Sequence, residues 1–228
     1  MNSIEKQNNR VYLRGEVVTE KRFSHEVYGE GFYEMDVKVE RLSGQADIIP
    51  VTISERLIQE KNLEVGSTIS VVGQFRSYNK VIDGKSKLML TMFVREFVEE
   101  DYSKNPNSIV ISGFVCKAPI YRTTPFNREI ADVLIAVNRA YNKSDYIPCI
   151  AWGRNARFVK NLAVGEKIAL SGRIQSREYQ KKLGDDNVIT LTAYEVSVSK
   201  LAVCDSVDYF DIDKEFGLMD IFRQEGVV

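Results

Sequence analysis

Between Thr124 and Leu162 the chain sets aromatic rings among guanidinium groups: Arg139 and Tyr141, then Tyr146, Trp152 and Arg154. A ring presents a flat apolar face to a flat ligand, and a neighbouring guanidinium neutralises phosphate, so the pairing points to unpaired nucleotides. Covalent chemistry has no comparable support. His25 is the only histidine and falls in the loop-like stretch FSHEVYGEG, while Cys116, Cys149 and Cys204 lie far apart without a CxxC pair. Three reduced, mostly packed thiols are expected, with neither a disulfide framework nor a zinc site. No cluster of Asp, Glu and His recurs at metal spacing, which argues against a nuclease; no catalytic residue, metal or cofactor is expected.

Strands must hold these groups. Ile130, Val133, Ile135 and Val137 are apolar and largely at period two, the signature of a half-buried strand. No apolar run approaches the roughly 20 residues that cross a bilayer, and the opening MNSIEKQNNR has no apolar stretch of the secretory kind. A cytoplasmic protein is expected.

Net charge of −1 is a poor guide to partners, because it averages unlike regions. Residues 1–106 hold 15 Lys and Arg against 17 Asp and Glu, residues 107–201 hold 14 against 8, and residues 202–228 hold 2 against 7. A basic unit is flanked by an acidic tail inside a neutral total.

The chain also repeats itself. NRVYLRGEVV (9–18) lies over NSIVISGFVC (107–116) at an offset of 98, with Gly15 over Gly113. At that offset Arg41 meets Arg139 and Ile49-Pro50 meets Ile147-Pro148, and VGSTISVVGQFRS (65–77) then lies over VGEKIALSGRIQS (164–176). So long a period marks two whole domains, not a solenoid. Residues 1–100 form the first, 107–201 the second, and 202–228 the acidic tail, with the polar EEDYSKNPNS as boundary. Each copy reads as a long strand (about 10–22; 108–122), a second (32–41; 130–139), a third (47–53; 146–151), a helix-permitting segment (54–63; 153–162), a fourth strand (67–77; 167–177), a hairpin and a fifth strand (87–98; 188–200). Five strands with one helix between the third and fourth is the order of an OB-fold, a small Greek-key barrel. The expected class is all-β, two tandem OB-folds, with Gly15, Gly73, Gly113 and Gly172 marking bends or bulges.

In the second copy SIVISGFVCKAPIYRTTPFNREIADVLIAVNRAY, YIPCIAWGRNA and VGEKIALSGRIQSREY resemble, in order, the bacterial single-stranded DNA-binding protein family. The resemblance covers about 95 residues and implies an OB-fold, binding of single-stranded DNA with little sequence preference, a role in replication, recombination or repair, and assembly around four barrels. A two-copy chain would supply those as a homodimer. Carried over by position, the base-stacking rings are Tyr141, Tyr146, Trp152 and Tyr179. Arg139, Arg154, Arg173 and Arg177 lie beside them, Arg122 and Arg128 flank the first hairpin, and Lys181 and Lys182 occupy the hairpin QKKLGDD. Trp152 directly follows IPCIA and would serve either as platform or as a cap on the core. The first copy has drifted, with TISERL in place of the WGRNA piece. Its candidates are Arg41, Arg76, Tyr78 and Lys80, whereas Tyr12 and Phe32 are expected to be packed or at an interface.

The tail departs from the family pattern, being acidic and aromatic but short and ending in Gly-Val-Val. Docking of DYFDIDKEF into the basic groove is one reading of it; a helix over 213–223 that packs or binds a partner is the other. The acidic first copy and this tail leave a second function open, an assembly protein of a primosome or recombination complex with weak DNA binding. Replication and repair proteins are partners under either reading.

Overall fold

The computed structural model describes residues 8–204, apart from 60, 62, 83 and 183–187. The acidic tail, and with it both readings of DYFDIDKEF, lies outside the described residues. The first half runs β1 (Asn9–Val17), β2 (Arg22–Val27), β3 (Glu30–Glu40), β4 (Ala46–Ser54), α1 (Glu55–Gln59), β5 (Thr68–Ile82) and β6 (Lys85–Phe97). The second repeats it as β7 (Asn107–Val115), β8 (Ile120–Thr123), β9 (Glu129–Arg139), β10 (Lys143–Trp152), α2 (Arg154–Val159), β11 (Lys167–Lys182) and β12 (Val188–Val203).

Each half closes on itself. β1 pairs with β5, β5 with β6, β6 in parallel with β4, β4 with β3, and β3 returns to β1. The second half follows the same circuit, β7–β11–β12–β10–β9–β7. These are two OB barrels, and their interiors are filled by alternate residues such as Met35, Val37 and Val39, or Val133, Ile135 and Val137, all buried. Ile130 departs from that stripe. It is buried but lies outside the core cluster, on the opposite face, with Trp152 as its cross-strand partner.

Three local expectations are corrected. The long opening strands break after Val17 and Val115, and their continuations β2 and β8 pair only with β3 and β9. FSHEVYGEG is accordingly a hairpin, turning through Tyr28 and Gly29 at positive φ, and not a loop. The helices are also shorter than the spacing allowed. In α2 the bonding tightens from Lys160 N–H to Ala156 O into i→i+3 bonds from Asn161 and Leu162, so the chain leaves the helix one turn early.

Closing five strands requires sharp local twist, and two glycines supply it. The β5–β6 and β11–β12 registers shift at Val72/Gly73 and Ser171/Gly172. A β-carbon on Gly172 would fall on the carbonyl oxygen of Ser197, and one on Gly73 on that of Phe93. Backbone cannot give way as a side-chain tip does. Gly172→Ala is therefore expected to destabilise the chain by about 3 kcal/mol, read as a lower urea midpoint at unchanged slope.

The barrels are joined strand to strand. β1 pairs antiparallel with β7, with Val11 opposite Ile109, Asn9 opposite Ile111 and Leu13 opposite Asn107, making one 12-stranded sheet. Val11 and Ile109 are themselves equivalent at the offset of 98, so a quasi-twofold axis passes between them. Asn9 and Asn107 obey it too. Each side-chain amide brackets one backbone position, Phe75 or Ile174, donating to its carbonyl at 2.7 Å and accepting from its N–H at 2.9 Å.

Candidate nucleic-acid interface

A second symmetric pair locks the barrels together. Asp145 Oδ1 accepts the Ser77 N–H at 2.8 Å and a bond from Arg139 Nη1 at 3.1 Å, while Ser77 Oγ accepts the Tyr146 N–H at 2.7 Å. Across the axis, Asp47 Oδ1 accepts the Ser176 N–H at 2.8 Å, Ser176 Oγ accepts the Ile48 N–H at 3.0 Å, and Arg41 grips both carboxylate oxygens of Asp47. The two aspartate side chains are each 1% exposed. The hydrogen bond with Asp47 raises the Arg41 pKa against the opposing effect of burial. Arg41 and Arg139, expected on the ligand face, thus have their guanidiniums committed first to holding the barrels together.

The rings expected to stack stand clear of the core. Tyr141 is 84% exposed, Tyr146 46%, Trp152 40% and Tyr179 39%. Strand alternation accounts for this. Tyr146 and Trp152 share the outer face of β10, and Arg173, Arg177 and Tyr179 share the outer face of β11, while the core residues Ile147, Cys149 and Ile174 point the other way. Tyr141 is set out by the turn between β9 and β10, where it and Asn142 adopt φ of 61° and 54°. Trp152 is partly exposed on the face that carries buried Ile130, which is not the face of the core cluster.

The cations differ in how free they are. Arg122 pairs with Asp132 at 2.9 Å, and Arg177 with Glu195 at 3.5 Å while also lying 5.9 Å from the centre of the Tyr179 ring. Arg154, Lys181 and Arg128 are exposed, the last on the β8–β9 hairpin. The Lys182 side chain lies outside what the structure describes. Arg173 donates to Gln175 at 3.2 Å, but its buried Nε has no partner. Arg41, Arg128, Trp152, Arg173 and Arg177 come together around an open cleft of about 670 Å³ that spans the junction of the barrels.

On the first barrel, Lys80 and Tyr78 are exposed, and the Tyr78 hydroxyl donates to Glu34 at 3.1 Å. Burial, followed by the Glu34 charge, pushes the Tyr78 pKa up to about 12. Phe32 is half-buried, stacks on His25 at 5.0 Å and 10°, and meets Phe93 at 5.6 Å. Arg76 lies 4.2 Å and Arg95 5.2 Å from the Phe93 ring centre. Phe93, Arg95 and the 87%-exposed Phe126 were not anticipated; the signal for Phe93 was its place opposite Gln74, legible only once the β5–β6 register is known.

Two closed Greek-key barrels, with exposed rings and arginines on the outer face of the second, define a tandem OB-fold protein. Residues 106–202 match the family described as the single-strand binding protein family. Single-stranded DNA-binding protein 3 of Clostridium acetobutylicum is 34% identical over 98 residues, 40% of this chain and 68% of that protein. This chain belongs to that family. Single-stranded DNA-binding protein 1 of Staphylococcus aureus is 35% identical over 112 residues, 46% of this chain, and the match spans 61% of the relative's length. The single-stranded DNA-binding protein of Thermus aquaticus superposes with a TM-score of 0.68 at 18% identity, covering 88% of this chain and 94% of that one. That likeness extends the shared fold across both barrels. Among the described residues no helix is long and apolar enough to cross a membrane.

Proposed function

We propose that the chain coats single-stranded DNA with little sequence preference, without catalysing a reaction, during replication, recombination or repair in the cytoplasm. Bases stack on Tyr141, Tyr146, Trp152 and Tyr179, and phosphates pass along Arg128, Arg154, Arg173, Arg177 and Lys181. One observation carries this reading: four rings stand outside a core that is complete without them, on strands that also present guanidiniums. Every base has a π-face, so such a surface is indifferent to sequence, and each stacked base contributes roughly 1–3 kcal/mol. Relatives named for binding single-stranded DNA support it. The working unit is a homodimer with four barrels, and replication and repair proteins are its further partners.

Trp152 makes the test direct, because it is the only tryptophan. Oligo-dT is expected to quench its fluorescence, with duplex DNA of equal length quenching far less. The log–log salt slope should be about −0.7 per phosphate neutralised. Equal affinity for duplex, or no binding, defeats the reading. Light scattering should give the mass of two 26.0 kDa chains; a single-chain mass defeats the dimer.

A further inference from the structure

The ring-for-ring comparison at the repeat offset makes the first barrel look stripped. Trp152 corresponds to Ser54, Arg173 to Gln74 and Arg177 to Tyr78. The strand registers reverse that impression. In the second barrel Trp152 sits opposite Ile130, and Arg173 opposite Ser197. In the first, Ser54 sits opposite Phe32, and Gln74 opposite Phe93. The positions that lost Trp152 and Arg173 are each faced by a gained ring on the neighbouring strand of the same outer surface.

Resting on the function proposed above, we propose that the first barrel carries a rebuilt base-holding site. The stack His25–Phe32–Phe93 is its platform, Arg76 and Arg95 are its cations, and Arg139 reaches it from the second barrel. Its ligand is an unpaired nucleotide of the same strand held by Trp152 and its neighbours.

Three observations carry this. Phe32 and Phe93 are only half-buried and belong to no core cluster, so the barrel interior closes without them. The stack is flat at its outer end, where His25 and Phe32 lie within 10° of parallel, the geometry that a base continues. The charge around it is unbalanced. Arg76 and Arg95 both turn to the neutral Gln74 amide oxygen, at 2.8 and 3.4 Å, and both lie over Phe93. Among the described residues the carboxylate that acts on Arg76 is Asp145, which is already engaged by Arg139 and the Ser77 N–H. Burial lowers the Arg76 pKa to about 10, and repulsion from Arg95 and Arg139 adds to it. A phosphate placed among these three guanidiniums relieves that repulsion, and its base meets the rings beside it.

The test moves the only tryptophan. In the full chain carrying Trp152→Phe and Phe93→Trp, oligo-dT of about 30 nucleotides, long enough for two barrels, is expected to quench fluorescence from position 93. Quenching of native Trp152 by the same oligonucleotide with none at position 93 overturns the proposal while leaving the second barrel's role intact. Silence at both positions overturns that underlying role, and this proposal with it. Arg95→Glu, a surface change that leaves the core untouched, provides the second measurement. Anisotropy with the same oligonucleotide should show affinity falling about tenfold, on the order of one lost base or phosphate contact; unchanged affinity overturns the site.

Discussion

Asp145→Ala is expected to lower the stability of the folded chain by about 3–5 kcal/mol, because it breaks a buried ion pair by removing one partner. For a chain of this size that is a fall in Tm of roughly 6–20 °C. The carboxylate is 1% exposed and accepts from two directions, the Arg139 guanidinium of its own barrel and the Ser77 N–H of the other. Alanine leaves a half-buried cation without its counter-charge and a buried N–H without an acceptor, and the second loss alone costs about 1–3 kcal/mol. Asp145→Asn keeps an acceptor oxygen for Ser77 and should lose less. Asp47→Ala, its quasi-symmetric equivalent, should behave alike, since Asp47 holds Arg41 and the Ser176 N–H in the same manner. The double variant tests where the pairs act. If they lock one barrel to the other, calorimetry will show the single unfolding transition dividing into two. A Tm within two degrees of the parent for either alanine variant contradicts the lock.

That junction was half legible in the sequence. Arg41 and Arg139 aligned across the repeat, as did Asp47 and Asp145 at the same offset, but arginine beside aromatic residues also describes a phosphate contact. What decides between them is a serine amide on the other barrel, 68 residues from Asp145 and 129 from Asp47, which no local pattern announces. Strand alternation accounts for the exposure of Tyr146, Trp152 and Tyr179 once β10 and β11 are known, because period-two burial fixes which side of a strand meets water. Residue equivalence failed for the first barrel for a related reason. Aligning copies position by position asks whether Ser54 or Gln74 has kept a ring, whereas a sheet surface is shared between neighbouring strands. Phe32 and Phe93 fill the same patch from the other side of each ladder, so only the register reveals them. The broken opening strands have a similar origin. Val17 and Val115 end on the barrel wall, and the strand-permitting sequence that continues into β2 and β8 does not mark the change of partner.

The junction also explains how one gene duplication yields a paired barrel. The β1–β7 ladder brings the same strand of each copy together about a twofold axis, the arrangement two separate identical chains would adopt. Fusing the copies makes that contact intramolecular and releases the two sides to diverge. The second barrel carries exposed rings on β10 and β11, and the first carries Phe32 on β3 and Phe93 on β6.

Tyr141→Gly should change stability and binding in opposite directions. Tyr141 occupies φ 61° in the turn between β9 and β10, a left-handed conformation that costs an ordinary L-residue about 1–2 kcal/mol and glycine almost nothing. Its ring is 84% exposed and so contributes little packing to set against that strain. Glycine's greater freedom in the unfolded chain offsets part of the relief. The net expectation is a variant as stable as the parent or more stable by up to about 1 kcal/mol. Binding should suffer, because one stacked base at roughly 1–3 kcal/mol is about 5- to 150-fold in affinity for oligo-dT. Backbone strain held at an exposed ring is expected where the ring serves a ligand. Chemical denaturation and an oligo-dT titration on one preparation decide the matter. A stability loss with unchanged affinity would make Tyr141 a packing residue and take the outermost ring from the binding face.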